Sequence, residues 1–245
     1  MQKDIPSEAV RSMVSAGAHF GVARSRRHPS VKSCLFGQKD TVDVFDLEKT
    51  NEYLEKAKEF ARSLGREKKT LLFVGGKPES RRIVEDIAKR VSAPYAVGRW
   101  IGGTLTNYSE IKKRVARLVS LTTDKEAGAL SKYTKLERLL LDREMKKLEE
   151  MYGGIVSLGD TLPHAVFLVD PRREAIVVRE AQVKRIPVIA LATSDCDISL
   201  VQYPIPANDS APKSIAFFTE AIAQAYEEGA EQAVEKRESA EVKEA

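Results

Sequence analysis

Arg24, Arg26 and Arg27 fall within four consecutive positions, beside His28 and Pro29 and followed by Lys32. Guanidinium groups match phosphate oxygens through forked hydrogen bonds, so this packing of arginines suits a polyanion. A second stretch, Gly98-Arg99-Trp100-Ile101-Gly102-Gly103-Thr104-Leu105-Thr106-Asn107, holds the chain's only tryptophan. Arg99 offers a cation and Trp100 a stacking plane, the two chemistries used on unpaired bases, although a tryptophan is more often core than platform. Lys112, Lys113, Arg114 and Arg117 stud the segment that follows, serving either RNA or a solvated helix face. Binding through such residues is dominated by the nucleic-acid backbone, sensitive to salt and poor in sequence readout.

Other chemistries are weaker. Gly75-Gly76-Lys77 follows an apolar run and looks at first like a phosphate cradle, but neither GxGxxG nor GxxxxGK[ST] is present. A tight turn is the simpler reading. Asp170, Asp195, Cys196, Asp197 and Asp209 lie near expected strand ends; of these, Asp195, Asp197 and Asp209 form the candidate metal set. Capping and turn formation by the same side chains is the plainer account. His164 precedes a strand, yet no HxxxH or CxxC pattern joins it to other ligands. No G-x-S-x-G elbow and no nucleophile–base pair stands out. No cofactor and no catalysis are expected, the alternative being an α/β enzyme acting on a phosphorylated small molecule at the strand ends.

Charge is distributed unevenly. The net charge is +4, but Val22–Lys39 carries five basic residues and no acid, whereas Tyr226–Ala245 carries seven glutamates against three basic residues. The first block suggests polyanion binding and the second a solvated, disordered tail; both also fit a merely solubilising surface. No apolar run approaches the length of a membrane span and no signal-peptide core is present, which points to the cytoplasm. Neither membrane nor DNA is an expected partner. Cys34 and Cys196 read as free thiols.

The elements that must position these residues alternate. Ser7 is placed to cap a short helix with Val10, Met13 and Val14 on one face and Gly17 as its stop; that face needs the body or another protein to hold it. Short β patterns follow at Cys34–Phe36 and Thr41–Phe45 around a Gly37–Asp40 turn. Leu47–Leu64 reads as an amphipathic helix ended by Gly65. Buried strands are expected at Thr70–Val74, Pro94–Val97, Ala165–Val169 and Ile186–Leu191, with Tyr203–Pro206 as a proline-limited edge strand. Asp170-Pro171 and Pro212 open helices, the last fading into the tail. Between the second and third strands, Tyr108, Ile111, Val115 and Leu118, then Leu141, Met145, Leu148 and Tyr152, repeat at helical spacing around a tip at Thr122–Lys132. The pattern predicts an α/β doubly wound parallel sheet (flavodoxin-like) over 1–107 and 153–225. Into it is inserted a protruding antiparallel coiled-coil hairpin over 108–152, and 226–245 forms the tail. Within the joint, Gly102 and Gly103 permit a sharp departure, Asn107 caps the first arm helix and Trp100 wedges the arm root against the body.

An ordered series carries a resemblance. Ala16-Gly17-Ala18-His19-Phe20-Gly21, Asp46-Leu47-Glu48-Lys49-Thr50, Leu72-Phe73-Val74-Gly75, Arg99-Trp100-Ile101-Gly102-Gly103-Thr104-Leu105-Thr106-Asn107, Val169-Asp170-Pro171 and Ile205-Pro206-Ala207-Asn208-Asp209 occur in one order from about Ser7 to Ala225. Together they closely resemble the bacterial family of the second protein of the small ribosomal subunit. The chain departs from the common family pattern at Val22, at Arg27-His28 and at Ser210. The resemblance implies a structural constituent of the 30S subunit, lying between head and body, that contacts 16S ribosomal RNA and neighbouring ribosomal proteins. It also implies docking of the first small-subunit protein, in support of translation.

Overall fold

The computed structural model describes the backbone of residues 8–244 and the side chains of residues 8–233. The capping role given to Ser7 lies outside the described residues. The chain opens with helix α1 (Glu8–Ser15), then three short strands, β1 (Phe20–Ala23), β2 (Leu35–Lys39) and β3 (Val42–Phe45), which pair antiparallel in the order β1-β3-β2. Strand β1 is not among the elements expected from sequence. The turn between β2 and β3 falls at Asp40-Thr41, with Asp40 in the left-handed region (φ 55°), so Gly37 and Gln38 belong to the strand instead.

The main body follows: α2 (Leu47–Arg66), β4 (Leu71–Gly75), α3 (Pro78–Arg90), β5 (Tyr95–Val97), α4 (Tyr108–Glu126), α5 (Lys135–Tyr152), β6 (Ala165–Val169), α6 (Ala175–Lys184), β7 (Val188–Ala192), β8 (Tyr203–Pro206) and α7 (Pro212–Glu244). Five strands form one parallel sheet ordered β5-β4-β6-β7-β8. Renumbered along the chain this is the 2-1-3-4-5 order of flavodoxin-like doubly wound sheets, whose switch point lies between β4 and β6. Strands β4, β6 and β7 are buried throughout, as continuous apolar runs covered on both faces must be.

Alternate residues of these strands feed two cores. Leu71, Phe73, Phe167, Val169, Ile189 and Leu191 pack under α2, α3 and α7, with the Phe73 and Phe167 rings 5.5 Å apart. Leu72, Val74, Val166, Leu168, Val188 and Ala190 pack with α6 and with residues of α4 and α5. β8 sits at the sheet edge, where Pro204 and Pro206 have no neighbour that needs their missing N–H.

Helix ends differ from the expectations at three points. Gly65 does not stop α2, which runs to Arg66; a side chain there would strike the backbone of α7 at Tyr226, so the glycine is a crossing point rather than a terminator. Gly229 is its counterpart, facing the backbone of Arg62. Past Ala225 the described backbone continues as α7 to Glu244. The tail's alanines and glutamates are strong helix formers, and Tyr226 and Gly229 dock its beginning onto α2. A third difference concerns α6, which begins at Ala175 rather than at Pro171. Asp170 (φ 66°) instead accepts the N–H groups of Arg172 and Arg173 at 3.1 and 3.0 Å, closing a turn ahead of the helix.

Helices α4 and α5 pair through Leu118, Leu121, Leu148 and Tyr152, with Val115, Leu141 and Met145 at the margin. Gly128 (φ 69°) and a capping box between Thr134 and Glu137 make the turn between them. Arg117–Glu144 and Lys125–Asp142 ion pairs tie the two helices across their exposed sides.

Candidate nucleic-acid interface

The arginine segment follows β1 as a single 3-10 turn, Arg24–Arg26. Its three arginines have three different roles. Arg27 reaches back to β3, where Nε donates to Asp43 Oδ2 at 2.7 Å and Nη2 pairs with Oδ1. Asp43 is fully buried and is also bonded by Gln38. The bonds from Arg27 outweigh burial and hold the Asp43 carboxyl below the usual range. Arg27 is thus a structural counter-ion, not a free phosphate ligand, because no buried carboxylate is left unpaired cheaply. Arg26 is exposed but ion-paired at 3.4 Å to Asp195, which Arg172 also engages. Arg24 and Lys32 are exposed and have no ion-pair partner among the described residues.

On α4, Lys112 pairs with Asp160, Lys113 with Glu110 and Arg117 with Glu144, whereas exposed Arg114 has no such partner among the described residues. Arg99 is likewise exposed and unpaired among the described residues. Of the nine basic residues singled out, the fold therefore commits five and leaves Arg24, Lys32, Arg99 and Arg114 available.

The joint is organised by a residue that sequence reasoning missed. Glu180, on α6, accepts Trp100 Nε1 (3.3 Å) and Gly103 N (2.8 Å) at Oε1, and Leu105 N (2.9 Å), Thr106 N (3.1 Å) and Thr106 Oγ1 (3.1 Å) at Oε2. Burial opposes ionisation of Glu180, and these donors outweigh it, lowering its pKa. Trp100 is 8% exposed and packs in the core shared with Ile111 of α4 and Tyr152 of α5. Gly103 (φ 93°) needs glycine; Gly102 has ordinary φ and open space around it, so its freedom is not used. Asn107 occupies the N-cap position of α4 but makes no capping bond; its side-chain oxygen accepts Ser109 Oγ instead.

The proposed metal set does not assemble. Asp195 faces Arg26 and Arg172, Asp197 caps the turn at Ser199 beside His28, and Asp209 lies elsewhere, against Lys77. The Lys77 ammonium is 2.8 Å from both Asp170 and Asp209, with the buried Cys196 thiol next to them. Burial works against that ammonium, but Asp209 and Asp170 outweigh it and raise its pKa. Burial pushes Asp209 up to about 6 against the pull of Lys77. Lys77 is therefore an internal counter-ion and not a phosphate ligand of the Gly75-Gly76-Lys77 turn. His164 Nδ1 accepts the N–H of Thr70, a structural role. Of the α1 residues offered for protein docking, Met13 is fully buried and Val10 packs on the same core; Val14 is 50% exposed.

A profile of the family described as "Ribosomal protein S2" matches residues 13–229. The chain belongs to the ribosomal protein S2 family. It is 40% identical over 220 residues to the small ribosomal subunit protein uS2 of Dictyoglomus thermophilum, covering 90% of this chain and 89% of that one. It is 40% identical over 220 residues to the Nocardia farcinica protein of the same name, covering 90% and 77%. The Coprothermobacter proteolyticus protein is 38% identical over 222 residues, covering 91% and 82%. The ribosomal protein S2 family is structural and not enzymatic. No helix among the described residues is long and apolar enough to cross a membrane.

Two more basic residues of this S2-family chain escaped notice in the sequence, Arg81 on α3 and Arg173 before α6. Both line a cleft with Arg99, Trp100, Gly76, Gly98 and Glu174. Each belongs to an Arg-Arg pair, Arg81-Arg82 and Arg172-Arg173, far from Arg99 in sequence, and only the sheet order brings the three arginines together.

Proposed function

We propose that the protein is a structural constituent of the small ribosomal subunit that binds 16S ribosomal RNA through its unpaired surface cations. The observation that carries this reading is the family match over residues 13–229, joined to relatives named as small-subunit proteins over nine-tenths of the chain. Arg24, Lys32, Arg99 and Arg114 supply the phosphate contacts, because no carboxylate among the described residues pairs with them and competes. We read 108–152 as an inserted coiled-coil arm carried by the α/β body, with Glu180 and Trp100 fixing the angle at which arm and body meet RNA together. Docking of the first small-subunit protein falls to surfaces such as Val14, since Met13 is committed to the core. The test is co-sedimentation of tagged protein with small subunits at moderate salt. Recovery in the subunit peak supports the reading, and recovery only in the unbound pool contradicts it.

A further inference from the structure

We propose that the cleft at the carboxyl ends of β5, β4 and β6 is a ribonucleotide site, with Arg81, Arg99 and Arg173 holding a phosphate and Glu174 accepting sugar hydroxyls. The proposal deepens the RNA-binding reading by naming a pocket and a ligand for Arg99, and it rests on that reading only for the source of the nucleotide.

The cleft is about 240 Å³ and is lined by residues that follow three different strands: Gly76 after β4, Gly98, Arg99 and Trp100 after β5, and Arg173, Glu174 and Ile176 after β6. Arg81 reaches in from α3, its guanidinium resting on Gly98, where a side chain would meet it at 3.5 Å. In a doubly wound sheet the crevice outside these strand ends, at the switch point, is where ligands bind. None of the three arginines has an ion-pair partner among the described residues, although many other cations facing the body have one. Three guanidiniums lining one cleft with a single carboxylate, Glu174, leave an excess of positive charge that a bound anion offsets.

Glu174 points to the rest of the ligand. The residue is only 7% exposed and lines the cleft, and its carboxylate makes no hydrogen bond or ion pair among the described residues. That carboxylate fills the space a side chain at Gly76 would take, so the glycine is what admits it. The carboxylate faces the cleft with no protein donor among the described residues, so a bound group bearing O–H donors beside a phosphate would find an open acceptor there. A ribose phosphate carries both. Inorganic phosphate satisfies the arginines and leaves Glu174 unmatched. No bond is made or broken; the site binds.

Trp100 lines the cleft and is the chain's only tryptophan, so its fluorescence reports occupancy. Full-length protein is titrated with inorganic phosphate, 5′-AMP, 2′-deoxy-5′-AMP and a short single-stranded oligoribonucleotide. A saturable change with 5′-AMP or the oligoribonucleotide is expected, tighter than with inorganic phosphate by about tenfold, as one extra set of charge-assisted bonds gives. The tighter of the two ligands identifies the source, free nucleotide or strand. The double variant Arg81→Ala/Arg173→Ala, altered only at exposed positions, weakens binding by about tenfold or more. Glu174→Ala abolishes the preference for 5′-AMP over both its deoxy form and inorganic phosphate, while phosphate binding holds or tightens. No saturable change with any ligand, or equal binding by the arginine double variant, overturns the proposal. Co-sedimentation of the same variants with small subunits is read separately, so loss of the pocket and loss of ribosomal association are distinguishable.

Discussion

Glu180 accepts the indole N–H of Trp100 at 3.3 Å while its other oxygen takes the backbone N–H of Leu105 at 2.9 Å. One carboxylate on α6 thus ties the Trp100 side chain to the backbone that leads into α4. The loop needs this partner because the N–H groups of Gly103, Leu105 and Thr106 lie outside any helix or strand and must be paired when buried. Charge on the acceptor makes each bond stronger than a neutral one.

Removing that carboxylate strands several donors at once. Glu180→Ala is expected to destabilise the protein by about 3 kcal/mol, the scale of losing hydrogen bonds to a charged group. For a chain of this size that corresponds to a fall in Tm of roughly 6–12 °C. Thermal unfolding followed by circular dichroism measures it, and a red shift of Trp100 emission reports the loosened joint. An unchanged Tm would show that the loop holds itself.

Arg27 and its neighbours separate stability from binding. Arg27→Ala leaves the buried Asp43 without its main partner, so its Tm should fall well below those of Arg24→Ala and Lys32→Ala. The latter two should unfold like the parent. If all three variants melt together, Arg27 is a surface cation after all and the Asp43 pairing contributes nothing.

How much of this was legible in the sequence depends on range. Ala165–Val169 announces itself as a buried strand because five apolar residues in a row have one use in an α/β chain. The seams of α4 and α5 are likewise local, set by spacing of three and four. Arg27 looked free because its carboxylate lies sixteen residues away on β3, and that register is not written in the arginine cluster. Glu180 is a lone glutamate in an apolar helix, separated from Trp100 by eighty residues; its isolation among Val177, Val178 and Ala181 is the only local sign. Strand β1 was hidden by its glycine and by its brevity, and it exists through pairing with β3.

Opposing titrations set the pH profile. The Asp209 carboxyl has a folded-state pKa of about 6, above its unfolded value of about 3.9. The folded state therefore binds the extra proton, and Asp209 contributes stability as pH falls from about 7 to about 5. Glu180 and Asp43 have depressed pKa values; their contribution is present above the unfolded carboxylate range and is lost as pH falls through their folded values. Tm should rise slightly from about pH 7 to about pH 5, then drop below about pH 4. Asp209→Asn should flatten the upper limb and leave the acid limb in place. Because burial lowers the His19 pKa and so opposes this rise, the deciding comparison is between the two proteins: identical upper limbs for the parent and Asp209→Asn would contradict the assignment.

Salt dependence probes the unpaired cations. Removing one cation from a phosphate should reduce the slope of log affinity against log salt by about 0.7–0.9. Combining Arg24→Ala, Lys32→Ala, Arg99→Ala and Arg114→Ala should therefore flatten the slope for 16S ribosomal RNA by about 3. Neutralising Lys113, which already has Glu110 beside it, should change the slope little. Equal slopes for the parent and the fourfold variant would mean that these side chains face solvent in the complex.

The most direct measurement is a density map of small ribosomal subunits that contain this protein. The account predicts that the guanidinium of Arg99 and the side chains of Arg24, Lys32 and Arg114 each lie within hydrogen-bonding reach of an RNA phosphate, while Arg27 remains on Asp43. A map in which those four cations face solvent, or in which this chain has no place on the subunit, contradicts it.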